Sequence, residues 1–194
     1  MEKTGDGWPH PIFSSEALTH RKSVFQAHAT KFSLPRIIEN NGAKTGYLVN
    51  DRLEDVFAHI EKLYPRTKRA THRMWAYRCV DPVQAKVLAP TSSSSKAEKK
   101  QSRKAKNALA PSTTAPNVKY VMASFSDVEP ASGSILERLL ELNHHSDVVV
   151  VVYRWYGGVK IGGERWRCIS NVASEALREL GANVQSSQSS KPKA

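Results

Sequence analysis

One stretch constrains this chain more than any other: DVVVVVY at 147–153, five valines in a row closed by a tyrosine. A continuous β-branched run has no polar face, so it reads as a buried strand in the middle of a sheet. It is also the longest apolar run in the chain, far short of the roughly 20 residues that a membrane helix needs. The glycine-rich RWYGGVKIGGER follows it, and then a helix predicted from about Glu164 to Leu180. Ile169, Val172, Ala173, Ala176, Leu177 and Leu180 form that helix's apolar stripe, and Gly181 stands where a C′ glycine belongs.

The other elements follow from periodicity. From Lys22 the chain alternates: Phe25, Ala27 and Ala29 share one face, and Lys22, Gln26 and His28 the other, which predicts a strand. Residues 40–50 read as a turn-rich connection. Asp51 to Leu63 reads as a helix with Leu53, Val56, Phe57, Ile60 and Leu63 on one stripe. Asp51 and Glu54 have capping-box spacing, and Pro65 ends the pattern. In 72–80, Trp75, Tyr77 and Cys79 alternate with Met74, Ala76 and Val80, so both faces are apolar, as in a central strand. Residues 118–125 predict a further strand paired with it. Ala131 to Asn143 reads as a helix carrying Ile135, Leu136, Leu139, Leu140 and Leu142.

Between those two strands the pattern breaks. Residues 81–117 are rich in Ser, Lys, Ala, Pro and Thr, a composition that buries too little apolar area to offset chain entropy. They are expected to form a disordered basic insert, an outsized hairpin loop. Residues 1–15 are expected to be a flexible arm, and 182–194 a disordered tail. The folded unit is then a single domain made of 16–80 and 118–181. Charge matters here. The net charge is +11, but residues 91–117 of the insert (six Lys or Arg against one acid) and the tail's Lys191 and Lys193 hold seven of those charges. The domain itself is only mildly basic, which weakens the case that a high pI marks a nucleic-acid surface. The insert serves equally as a solvated linker or as a nuclear-localisation or polyanion-binding patch.

Several chemistries are excluded by spacing. Cys79 and Cys168 form no CxxC or disulfide framework, and no HExxH or Cys/His ligand spacing occurs, so no metal or other cofactor is expected. There is no GxSxG. Gly157 and Gly162 stand at P-loop spacing, but Gly163 and Glu164 occupy the places of the Lys and Ser/Thr, and a carboxylate there repels phosphate. A tight strand-to-helix crossover explains the glycines better. Asp127 and Glu129 in SDVEP are a carboxylate pair, but no ligand cluster accompanies them, so capping of the next helix and local hydrogen bonding are the expected roles. A metal-dependent hydrolase or nuclease built on them is the weakest of three functional readings. His144 and His145 sit at a helix end, where a cation suits the dipole. Cys168 is expected to pack in the core. Arg154, Lys160, Arg165 and Arg167 interleave with Trp155, Tyr156 and Trp166. Such a loop either stacks single-stranded nucleic acid or packs its aromatics beneath solvated charges, and the sequence leaves both open.

Four stretches together resemble the IMPACT family and its bacterial YigZ relatives: HRKSVFQAHAT (20–30), ATHRMWAYR (70–78), SDVEPASGSILERLLELN (126–143) and DVVVVVYRWYGGVKIGGERWRCISNVASEAL (147–177). The last, with its RWYGG loop, is the most specific. In place of the family's DGE-like acidic motif stand Asp127, Val128 and Glu129. The resemblance implies an α+β fold, a two-layer sheet packed with helices, similar to domain two of ribosomal protein S-five. It implies a non-enzymatic, soluble, cytoplasmic regulator of translation that acts in amino-acid-starvation signalling through the general-control kinase. Actin is among the partners implied, and no membrane is. Nuclear entry would run through the basic insert. The matching region begins near Ser15, so the N-terminal RWD domain of the regulatory members is expected to be absent. The alternative function is an RNA- or ribosome-binding module. Candidate binding residues are Arg154, Trp155, Tyr156, Gly157, Gly158, Lys160, Arg165, Arg167, Asp127 and Glu129; none is expected to be catalytic.

Overall fold

The computed structural model describes residues 8–34, 49–81 and 118–189. Element order is β1 (Phe13–Ser14), β2 (Leu18–His20), β3 (Ser23–Lys31), α1 (Val49–Leu63), a 3-10 turn (Pro65–Arg69), β4 (His72–Val80), β5 (Tyr120–Phe125), α2 (Ser132–Leu142), β6 (Val148–Trp155) and α3 (Glu164–Ser189). The strands form one antiparallel sheet in the order β1-β3-β6-β4-β5, with β2 also paired to β3. The fold is α+β, as expected.

The valine run is the sheet's central strand, β6, and its alternation explains why both parities are apolar. Val148, Val150 and Val152 face one core with Phe25, Ala27, Ala29, Met74 and Ala76, under α2 and α3. Val149, Val151 and Tyr153 face a second core with Tyr77, Cys79 and Phe32, under Leu53, Val56, Phe57 and Ile60 of α1. Helices thus cover both faces, and α1 adds a layer to the two expected. Each fully buried Val or Leu contributes about 1.5–3 kcal/mol of burial free energy. The small Ala27, Ala29 and Ala76 let α3 and α2 lie close to the strands.

The predicted β4–β5 pair forms, from Trp75 opposite Phe125 to Val80 opposite Tyr120. The 82–117 insert between them, residues 1–7, most of the 40–50 connection, and 190–194 of the tail lie outside the described residues.

Several boundaries differ from expectation. Residues 8–15 are not an arm. Trp8 is buried, stacks on Phe32 at 6.0 Å and donates its indole N–H to Thr30 Oγ1 at 3.0 Å, while Phe13 and Ser14 pair with β3. A two-residue strand is too short to show periodicity. α1 starts at Val49, so Asp51 lies in its first turn, where a carboxylate favours the dipole, rather than at a cap. α3 runs through Gly181 to Ser189, so that glycine is helical and not a C′ stop. Leu63 and Leu142, each the last residue of its helix, are exposed.

Candidate functional site

At one end of the sheet, antiparallel register sets Phe25, Arg154 and His72 side by side across β3, β6 and β4, with Arg154 in the middle. By strand alternation Arg154 continues the Val148-Val150-Val152 face, so its guanidinium ends up against the core, 5% exposed. It stacks over Phe25 at 5.3 Å. A charge buried this far must be paired. The partner is Glu129, also 5% exposed, whose Oε1 accepts from Arg154 Nη1. Arg165 Nε lies 2.9 Å from the other carboxylate oxygen, and His72 Nε2 lies 3.6 Å from Oε1. Arg154 Nη2 also donates to Ser23 Oγ at 3.4 Å.

Asp127 is spent in a similar way. Its Oδ2 accepts from the Arg73 backbone N–H at 3.3 Å and sits 3.3 Å from His72 Nδ1. The two acids therefore do not cap α2, contrary to expectation. Ser126 does: its Oγ accepts from the Gly133 N–H at 2.9 Å, while the Ser132 hydroxyl lies 2.8 Å from the Glu129 carbonyl and 3.1 Å from that of Ser126. Asp127 (φ 52°) and Ala131 (φ 66°) hold left-handed backbone that only well-anchored non-glycine residues keep. The consequence is a pinned turn with Val128 at its tip, 72% exposed.

The glycine loop completes the site. A Cβ on Gly157 would collide with the Lys22 carbonyl, so the β2–β3 hairpin and the β6–α3 loop can touch only because this residue is glycine. Gly158 adopts φ 82°, a turn geometry that L side chains resist. Gly157 N–H donates to Ser23 Oγ at 3.3 Å, and Tyr156 N–H to Thr71 Oγ1 at 3.0 Å. Trp155 points to the α1 face, with Arg66 over its ring at 4.8 Å. The Trp166 indole N–H donates to the Pro130 carbonyl at 3.1 Å, tying α3 to the acidic turn. These pieces surround an open cleft of about 370 Å³, lined by Val128, Glu129, Arg154, Tyr156, Lys160 and Ile161 among others.

Of the residues singled out from sequence, Arg154, Arg165 and Glu129 converge and bind one another, and Asp127 joins them only through His72. Tyr156 and Lys160 are exposed on the cleft, Trp155 belongs to the opposite face, and Arg167 is exposed beyond the cleft lining. Ser23, His72, Val128 and Ile161 were not anticipated, because the first two owe their roles to strand register and the last two to loop conformation, neither of which local sequence encodes. Cys168 is buried in the core as expected, its thiol pKa pushed up chiefly by burial. Among the described residues no group of three His, Cys, Asp or Glu could hold a metal, and no helix is long and apolar enough to cross a membrane.

The model of the Impact N-terminal domain matches residues 47–177. The chain is 28% identical over 163 residues to the "Protein IMPACT homolog" of Schizosaccharomyces pombe, covering 84% of this chain and 40% of that protein. It is 28% identical over 183 residues to Protein IMPACT of Oryctolagus cuniculus, covering 93% and 42%. The chain thus spans about two fifths of the length of these relatives. Among solved structures it is similar to the two-domain translational regulator Yih1, with 22% identity, a TM-score of 0.40, and coverage of 89% of this chain and 48% of that one.

Proposed function

The chain belongs to the Impact N-terminal domain family, and from that premise we propose that it is a non-catalytic interaction domain in the control of translation. One observation carries the non-catalytic part: both carboxylates of the site are already engaged, Glu129 through both oxygens and Asp127 through Oδ2. A general base or metal ligand needs a free lone pair facing a substrate. Glu129 instead faces Arg154 and Arg165, and Asp127 faces His72 and the Arg73 N–H. The acids work as struts that hold a surface in shape. Translation, and within it the starvation pathway of the general-control kinase, is the setting that the family resemblance implies.

The test is cellular. Initiation-factor phosphorylation during amino-acid starvation is measured with the protein overproduced and with it deleted. Overproduction should lower the signal and deletion should raise it. A signal indifferent to both would end the kinase-pathway reading, and a hydrolytic activity abolished by Asp127→Asn would end the non-catalytic one. An RNA- or ribosome-binding role draws less support from the site, because two of the loop's arginines are committed to Glu129. Salt-titrated RNA binding that falls steeply with ionic strength would favour it.

A further inference from the structure

Resting on the reading of this loop cluster as a protein-contact surface, we propose that the cleft takes an acidic peptide segment anchored by an apolar side chain. The first argument is charge. Arg154, Lys160 and Arg165 line the cleft against a single lining carboxylate, Glu129. The internal ion pairs leave positive charge uncancelled, and a concave site with low-dielectric walls focuses the resulting field outward.

The second is the nature of the walls. Val128, Pro130, Tyr156 and Ile161 line the cleft, and exposed Val159 and Trp166 flank it. Exposed apolar residues gathered around a charged centre mark protein-binding surfaces more than solvent-facing ones. The third is preorganisation. Val128 is held at the tip of a turn fixed by the Glu129 pairs and the Ser126 cap, so little conformational entropy remains to be lost when a partner docks.

The same features argue for peptide over nucleic acid. Tyr156 and Trp166 each already face a guanidinium, Arg154 at 5.3 Å and Arg165 at 5.0 Å. The other walls, Val128, Pro130 and Ile161, are aliphatic and offer no base stacking, which single-strand binders rely on. A volume of about 370 Å³ accommodates an anchoring side chain with its neighbours. In this arrangement a carboxylate meets Lys160 and the outer edge of Arg165, and the apolar anchor rests on Val128 and Tyr156.

The experiment uses the full chain and three fluorescein-labelled probes: a peptide with Asp and Glu flanking a central Leu-Phe, the same peptide with Lys for each acid, and an oligouridylate. Binding is read by anisotropy and its location by amide chemical-shift changes. Lys160→Glu and Val128→Ser are compared with wild type after thermal melts show them folded; both side chains are exposed. The acidic peptide should bind, with shifts at Val128, Tyr156 and Lys160. Lys160→Glu and Val128→Ser should each weaken it about tenfold, and the basic peptide should not bind. Binding unchanged in Val128→Ser, shifts that map elsewhere, or an oligouridylate that binds more tightly than the acidic peptide would each overturn the proposal. Because the starvation-phosphorylation assay is independent of these probes, an intact cellular response with no peptide binding would sink this inference and leave the functional reading standing.

Discussion

The two faces of the sheet handle their buried polar groups in opposite ways. Under α2 and α3 the core is mostly aliphatic and bounded at each end of α2 by a buried cation. Arg154 at the N-terminal side meets a carboxylate; Arg78 at the C-terminal side, 7% exposed, donates to the His145 carbonyl at 2.5 Å and stacks on Tyr120 at 3.4 Å. Under α1 the core is aromatic, and its buried polar groups are neutral. His28 lies beneath Tyr64 at 4.5 Å with Nδ1 2.7 Å from Ser14 Oγ. Cys79 Sγ donates to the Phe32 carbonyl at 3.2 Å, and burial pushes its pKa up to about 12. The first face should therefore be sensitive to the loss of a partner, and the second to pH.

The largest effect is expected from Glu129→Ala. It strands the Arg154 guanidinium in the core, and removing one partner of a buried pair costs about 3–5 kcal/mol. Replacing both, as Glu129→Leu with Arg154→Met, should recover most of that loss. Urea denaturation of the single and double variants decides the matter. A single variant that loses under about 1 kcal/mol would mean that water in the open cleft solvates the Arg154 guanidinium in place of Glu129.

The α1 face should respond to acid instead. Burial lowers the His28 pKa to about 4, whereas an unfolded-chain histidine titrates near 6.5. Below that value the unfolded state binds the extra proton, so stability is complete at neutral pH and falls as pH drops through the window from about 6.5 to about 4. The slope is roughly 1 kcal/mol per pH unit, and the total roughly 3 kcal/mol. His145, held down by burial and by the Arg78 charge, adds to the slope from the other face. Comparing urea midpoints of wild type and His28→Gln across that window isolates His28. Parallel curves would show that its environment admits a proton after all.

How far these contrasts were legible depended on whether one residue's pattern or two residues' register was needed. The valine run, the Phe25-Ala27-Ala29 alternation and the Trp75-Tyr77-Cys79 alternation each expose their burial directly, because a strand's period is a local property. The stripes of α1 and α3 are local in the same way. Arg154 and Glu129 were visible as residue types but not as a pair: 25 positions separate them, and only the β6 register and the left-handed turn at Asp127 bring them together. Trp8 was missed because its partners, Thr30 in β3 and Phe32 just past it, lie 22 or more positions along the chain. His144 and His145 pointed to a cation at the end of α2, and one is there, but it is Arg78, supplied by a strand.

The far end of the α2 face gives the next effect. Arg78→Met removes a hydrogen bond to a neutral carbonyl and a ring contact, and leaves no buried charge behind. The expected cost is about 1–3 kcal/mol, below that of Glu129→Ala. If the two ends cost the same, charge pairing is not what distinguishes them.

The smallest effect, and the only stabilising one, tests where the α2/α3 face stops. Gly181 lies inside α3, and a Cβ there meets nothing within 4 Å. An alanine in a helix interior is more stable than glycine by about 0.8–1.0 kcal/mol, because glycine loses more backbone entropy on folding. Gly181→Ala should therefore raise the melting temperature slightly and protect the amides just beyond it from hydrogen exchange. If the helix instead ends at Leu180 with a left-handed glycine, as its sequence position suggests, alanine would be strained and the variant would melt earlier. The sign of one small change thus decides whether the last turns of α3 continue the helix or lie outside it.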